Sequence, residues 1–162
     1  MPVAEQIETQ RLILEPLRVD HAGDMVAVLA DPAMYEFTGG APPSEGELQA
    51  RYARQVRGAG WLNWILRLRE SRAAVGTVQA TLRERAELAW VVGTSFQGCG
   101  YATEGTAAVI AWLRANGVGE FEAHIHPDHE ASAAVARRLG FEPTDAVHRG
   151  ETVWISGRRC HN

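Results

Sequence analysis

The stretch QGCGYATEGT, Gln97–Thr106, places three glycines within ten residues, between the apolar runs AELAWVV (86–92) and AAVIAWL (107–113). The first run predicts a strand and the second predicts the body of a helix. A strand, a glycine-rich turn and a helix form an anion site, because the first helical N–H groups lack partners and the helix dipole favours negative charge. The stretch therefore predicts a phosphate-binding turn.

Three phosphate motifs can be compared with this turn. The P-loop pattern G-x-x-x-x-G-K-[ST] aligns with Gly100 and Gly105, but Thr106 stands where lysine is required. The dinucleotide pattern G-x-G-x-x-G meets Thr103 at its third glycine. The pattern Q/R-x-x-G-x-G/A is satisfied in full by residues 97–102. Of the three motifs, only Q/R-x-x-G-x-G/A is therefore supported by the residues of this turn.

The hydrophobic periodicity around the turn predicts one mixed fold. The expected strands are 11–17, 62–70, 73–84, 85–93, 120–127, 144–148 and 151–157, and the expected helices are 19–31, 44–57, 103–115 and 131–139. Three consecutive strands with short turns indicate an antiparallel meander. The predicted fold class is α/β (α+β): a single domain over residues 1–162, with a mixed, mostly antiparallel sheet of about seven strands flanked by about four helices.

The composition excludes several function classes. The net charge is −4, and all 16 basic residues are arginine. A nucleic-acid binder requires a clustered basic face, so no nucleic-acid partner is expected. The absence of lysine excludes Schiff-base chemistry and the P-loop lysine.

The sequence also bears on location. The start of the chain lacks an apolar segment, and the run 107–113 is shorter than the roughly 20 residues of a membrane span. We therefore expect a cytoplasmic protein without a membrane partner. Cys99 and Cys160 form neither a disulfide framework nor a zinc pattern, as expected in that compartment.

The motif at 97–102, together with the order of elements, resembles the GNAT superfamily of N-acetyltransferases. Ile7–Ala22 and Glu87–Val92 are similar to the branch that contains the ribosomal-protein N-terminal (alanine) acetyltransferases, and 131–142 is similar to the family's fourth helix. The resemblance covers nearly the entire chain. It implies an acetyl-CoA-dependent N-acetyltransferase whose glycine loop wraps the pyrophosphate, with acetyl-CoA as co-substrate and no metal.

The resemblance implies roles for particular residues. Glu87 would deprotonate the acceptor amine, directly or through a water, and Ser132 would donate a proton to the departing thiolate. Backbone amides near Val91 and Val92 would polarise the thioester carbonyl if the sheet opens there. The expected cofactor-binding residues are Val91, Val92, Gln97, Gly98, Cys99, Gly100, Tyr101, Ala102, Thr103, His129 and Arg137.

Two of these residues follow the loop in the chain, beyond the predicted helix 103–115. His129 stands where the family usually has the asparagine of N-x-x-S, and it could hydrogen-bond the pantetheine arm. Arg137 faces the cofactor's nucleotide end and could pair with a phosphate, although a solvated charge at a helix end is an alternative interpretation.

The sequence leaves the acceptor and two other function classes open. An α-amine titrates roughly 2.5 pH units below lysine, which together with the branch resemblance points to a protein or peptide N-terminus, while a small-molecule amine stays possible. A non-catalytic acyl-CoA sensor would retain the loop without turnover. The spacing H-x-H-x-x-H of His124, His126 and His129 would permit a metal site. Monomer and homodimer are equally compatible with the sequence.

Overall fold

The computed structural model describes residues 2–156. Its strands are β1 (Ile7–Glu8), β2 (Leu12–Pro16), β3 (Trp61–Leu68), β4 (Ala74–Leu82), β5 (Ala86–Val92), β6 (Phe121–Ile125), β7 (Phe141–His148) and β8 (Glu151–Ser156). Its helices are α1 (Ala22–Val28), α2 (Glu45–Arg57), α3 (Tyr101–Ala115) and α4 (Glu130–Arg138). Short 3₁₀ turns precede α1 and follow it, and another follows β5.

The strands form one sheet of eight, in the order β1-β2-β3-β4-β5-β6-β8-β7. Neighbouring strands are antiparallel except β5 and β6, which are parallel. A parallel pair requires a crossover connection, and α3 supplies it. The predicted fold class, a mixed and mostly antiparallel sheet with four flanking helices, is therefore confirmed.

The differences from the predicted elements have local causes. β1 contains two residues, which is too short for a period-two pattern to reveal. β7 begins at Phe141 and not at 144, and its pairing with β8 shifts between Pro143 and Val147, so the alternation is broken where the strand starts. α3 begins at Tyr101, two residues before the predicted start. Residue 157 of the last predicted strand and Cys160 lie outside the described residues.

The helices cover both faces of the sheet. On one face α3 and α4 enclose the larger core, which contains Leu14, Trp64, Val109 and Phe121, all completely buried. On the other face α1 and α2 pack over a smaller core. The capping box predicted at the start of α2 is present: Ser44 Oγ accepts from the Glu47 amide, and Glu47 Oε1 accepts from the Ser44 amide. No helix within residues 2–156 is long and apolar enough to cross a membrane.

Candidate active site

The two parallel strands separate soon after they meet. β5 pairs with β6 only at Ala86–Phe121 and Glu87–Glu122, whereas its pairing with β4 on the other side continues to Val92. The rest of β5 and β6 therefore diverge and leave an opening within the sheet, which we call the splay. The expected polarisation of the thioester by backbone amides requires such an opening, and no side-chain pattern in the sequence indicates it.

Backbone alternation decides which amides of β5 face the splay. The Ala86 amide donates to Glu120 O on the β6 side, and the Gly93 amide donates to Val75 O on the β4 side. Amides along a strand point alternately to its two neighbours, so those of Trp90 and Val92 face the splay and that of Val91 faces β4. The alternation favours Val92 over Val91 as a donor and adds Trp90, which the sequence analysis missed.

The glycine loop follows β5 and leads directly into α3. Gly98 and Gly100 have φ values of +78° and +84°, a region that residues with a Cβ rarely adopt. Gly100 is the N-cap of α3, and no side chain of the described residues caps the helix. The amides at the start of α3, from Tyr101 to Thr103, consequently lack partners within the helix and are available to an anion.

Two side chains fix the loop from either side. Gln97 Nε2 donates to Val92 O at 3.1 Å and ties the loop to the end of β5. Arg11 Nη1 donates to Cys99 O at 2.9 Å. The Thr103 hydroxyl is buried and has no hydrogen-bond partner among residues 2–156.

A carboxylate in the first turn of α3 organises this region. Glu104 accepts from Thr9 Oγ1 at 2.6 Å, from the Arg11 amide at 3.0 Å and from Arg11 Nε at 2.7 Å. The Arg11 guanidinium also lies over the ring of Tyr101, at 4.7 Å from its centroid. We call Thr9, Arg11 and Glu104 the clasp, because they join the start of β2 to the loop.

The clasp explains how a carboxylate is tolerated beside an anion site. Burial alone would raise the pKa of Glu104, but hydrogen bonds from Thr9 and Arg11 and the charge of Arg11 outweigh burial and lower this pKa. The hydrogen bond from Glu104 is the main cause that raises the pKa of Arg11. The Glu104 charge is therefore neutralised within the clasp. Arg11 and Glu104 belong to quoted motif stretches, but nothing in a single sequence pairs two residues so far apart.

The predicted base lies where the strands part. Glu87 is in the last paired position of β5 with β6, and its Oε1 lies 3.0 Å from His124 Nδ1 on β6. His124 Nε2 lies 3.5 Å from Glu122 Oε2. Glu87 and His124 thus meet from the two walls of the splay, on the face that carries α1 and α2. The sequence alone did not pair His124 with Glu87.

His129 and Ser132 lie together at the start of α4. Ser132 Oγ is 3.3 Å from His129 Nε2. The His129 ring stacks on Phe37, from the segment between α1 and α2, with centroids 4.7 Å apart. Burial lowers the pKa of His129, the nearby His126 lowers it further, and Glu36 opposes the shift. His129 is therefore neutral near pH 7 and can exchange a hydrogen bond with the serine hydroxyl.

The remaining predicted residues are dispersed. The Arg137 guanidinium lies over the ring of Trp154, at 5.4 Å from its centroid, and its phosphate role stays a prediction. The histidines do not converge: His124 contacts Glu87, while the rings of His126 and His129 contact Phe37. Within the part of the chain that the structure describes, no group of three or more His, Cys, Asp or Glu side chains is arranged to hold a metal ion.

Solved structures of acetyltransferases share the fold. An acetyltransferase from Agrobacterium tumefaciens has a TM-score of 0.80 and 20% identity, over 98% of this chain and 97% of that one. RimL, a ribosomal L7/L12 alpha-N-protein acetyltransferase in complex with coenzyme A, gives 0.78 and 19%, over 93% and 96%. MccE, a microcin C7 self-immunity acetyltransferase in complex with acetyl-CoA and AMP, gives 0.77 and 14%, over 91% and 93%.

At the level of sequence, no curated protein matches significantly. The family described as "Acetyltransferase (GNAT) domain" matches residues 11–142. This match includes Arg11 and Glu104 of the clasp, the splay, the glycine loop and α4, and it spans most of the chain. The protein belongs to the GNAT acetyltransferase family.

Proposed function

We propose that the protein is an acetyl-CoA-dependent N-acetyltransferase that acetylates a primary amine, with a protein or peptide N-terminal α-amine as the leading acceptor. One observation carries this proposal. The glycine loop leads into the uncapped start of α3, and it follows a strand, β5, that borders the splay and carries Glu87 where β5 and β6 part.

The loop fits a diphosphate. Positive φ at Gly98 and Gly100 turns the chain so that the amides from Tyr101 to Thr103 are open, and the clasp offsets the nearby Glu104 charge. Helix dipole and free amides both favour a bound anion there. We assign pyrophosphate binding to residues 97–103, through the backbone in each case.

The splay fits an extended acyl-carrying arm. When bound, acetyl-CoA supplies an activated thioester acetyl group. The amides of Val92 and Trp90 face the opening and are the donors we assign to a carbonyl oxygen that gains negative charge. His129, at the start of α4, is the polar side chain we assign to the pantetheine arm.

Two side chains would handle protons. Glu87 is half-buried and receives a proton from the amine, because nitrogen attacks only as the neutral amine. Ser132, in contact with the neutral His129, supplies the proton that the leaving thiolate takes up. Loss of either side chain lowers kcat. Because neither belongs to the glycine loop, the affinity for the cofactor stays unchanged.

An α-amine acceptor is favoured for a chemical reason. An α-amino group titrates near 7.7–8.0 and a lysine near 10.4, so removing the proton of an α-amine at neutral pH costs about 3.4 kcal/mol less. The shared fold of RimL, an alpha-N-protein acetyltransferase, supports the same acceptor class.

The test has a binding arm and a turnover arm. Calorimetric titration with coenzyme A measures loop binding, and thiol release is followed with peptides that have free N-termini, N-blocked lysine peptides and small amines. Release with free N-termini alone supports the leading acceptor, release with small amines identifies the alternative, and tight binding without release identifies the sensor.

The variant Glu87→Gln makes the base assignment testable. It should lower kcat by about 100-fold, the lower range for a positioned acid–base group, while the Kd of coenzyme A stays unchanged. The matched control is Glu84→Gln, which alters an exposed carboxylate in the β4–β5 turn and should match the parent. Equal turnover in Glu87→Gln and the control would overturn the assignment.

A further inference from the structure

Glu87 belongs to a row of neighbouring ionisable side chains that continues beyond the splay. His124 Nδ1 lies 3.0 Å from Glu87, its Nε2 lies 3.5 Å from Glu122, and its ring centroid is 5.1 Å from that of His148. The side chains of His124, Glu122 and Glu87 are 13%, 20% and 25% exposed, whereas His148, at the end of β7, is exposed. The row therefore joins Glu87, at the point where the splay begins, to an exposed histidine on β7.

The chemistry of the acceptor requires a route by which a proton reaches solvent. A primary ammonium must lose two protons from nitrogen to become an amide, and the leaving thiolate consumes only one of them. The other proton must reach solvent in each turnover. The Glu87 carboxylate binds one proton at a time, so it must lose that proton before the next ammonium group binds.

We propose that His124 is the relay that passes the acceptor's proton from Glu87 to solvent, with Glu122 and His148 as its outlet. This inference rests on the proposed function and extends it. The amine N–H bond breaks as an O–H bond forms on Glu87. That proton then crosses to Nδ1 while Nε2 carries the ring's own proton, and the proton on Nε2 leaves toward Glu122 or a water beside His148. The ring returns to its starting tautomer by exchange with water when product leaves.

The arrangement suits proton transfer better than structural support alone. An imidazole has two nitrogens on opposite sides of the ring, so it can take up a proton on one side and release it on the other. Here each nitrogen faces a different carboxylate, Glu87 on β5 and Glu122 on β6. His124 contacts Glu87 and acts through it.

The experiment compares two acceptors in the same variants. His124→Gln retains a side chain that can donate to Glu87 but cannot relay a proton, and His124→Ala removes the ring. With a strongly basic primary amine near pH 7, we expect kcat to fall by about tenfold in both, part of what a positioned acid–base group contributes. With a weakly basic aromatic amine, which is already neutral, the loss should largely disappear.

Two further measurements separate relay from structure. Added imidazole should restore kcat of His124→Ala in a concentration-dependent manner, and the Kd of coenzyme A should match the parent. His148→Gln alters an exposed side chain, so we expect this variant to fold like the parent. Its kcat should fall less than that of His124→Ala, and added imidazole should restore it.

Equal losses with both amines and no imidazole rescue would overturn the relay while leaving the proposed function intact. Absence of turnover in the unsubstituted chain with every amine would refute both.

Discussion

The clasp predicts a measurable link between stability and cofactor binding. Glu104→Ala removes three hydrogen bonds to one carboxylate, from Thr9 Oγ1, the Arg11 amide and Arg11 Nε. The Arg11 side chain is 44% exposed, so its ion pair contributes at most about 1 kcal/mol. The two other bonds contribute about 1 kcal/mol each at this partly exposed site. The expected loss is about 2–3 kcal/mol, or roughly 6–9 °C in Tm for a domain of this size.

The assay is thermal unfolding as a function of pH. Because the folded-state pKa of Glu104 is lowered, its contribution is fully present above the unfolded value of about 4.3 and is lost as the pH falls through the folded value. The Tm difference between the parent and Glu104→Ala should therefore be constant from pH 6 to 8, on the order of the 6–9 °C above, and shrink below about pH 4.

Calorimetry with coenzyme A completes this test. Arg11→Gln keeps the backbone bond to Glu104 but releases Cys99 O, so we expect a Tm loss of about 3 °C with about tenfold weaker binding, since the loop must then be ordered by the ligand. The control is Arg85→Gln, which alters an exposed arginine in the β4–β5 turn, outside the clasp and the glycine loop. If Glu104→Ala unfolds within 1 °C of the parent at neutral pH, the reasoning about the clasp is refuted.

Two glycine substitutions test the backbone of the site. In Gly76→Ala the new Cβ would lie 2.1 Å from Val91 O, a clash with backbone that should cost about 3 kcal/mol and shift the urea midpoint; an unchanged midpoint would show that β4 and β5 separate freely. Gly100→Val, at φ +84°, should weaken coenzyme A binding at least tenfold by straining the loop. Gly117→Val carries the same strain at the other end of α3, at φ +86°, and should destabilise the fold while leaving the affinity intact; equal affinity in both variants would contradict the loop's role.

The sequence predicted the features that arise locally. Alternation and helical spacing gave the order of strands and helices, and the glycines of residues 97–102 marked the turn with positive φ. Features that arise from tertiary pairing were not predicted. Glu87 and His124 meet because β5 and β6 are adjacent, and α3 separates these strands in the chain.

A sequence also does not reveal which amides of a strand point to which of its two neighbouring strands. The letters showed that Val91 and Val92 end a strand, but not which of them points its amide into the splay. One known hydrogen bond, from the Ala86 amide to Glu120 O, fixes the direction of every other amide along the strand. Arg11 and Glu104 pose the same problem, because their opposite charges were visible but their proximity was not.

The early parting of β5 and β6 gives the sheet an unusual distribution of edges. Open backbone groups on a sheet rim invite pairing with other molecules. Here the outer rims are a two-residue strand and a strand interrupted at Pro143, both poor templates for recruitment. The borders that lack a strand partner lie in the middle of the sheet and face each other. The sheet can thus keep main-chain donors available to a guest at its centre, away from its outer rims.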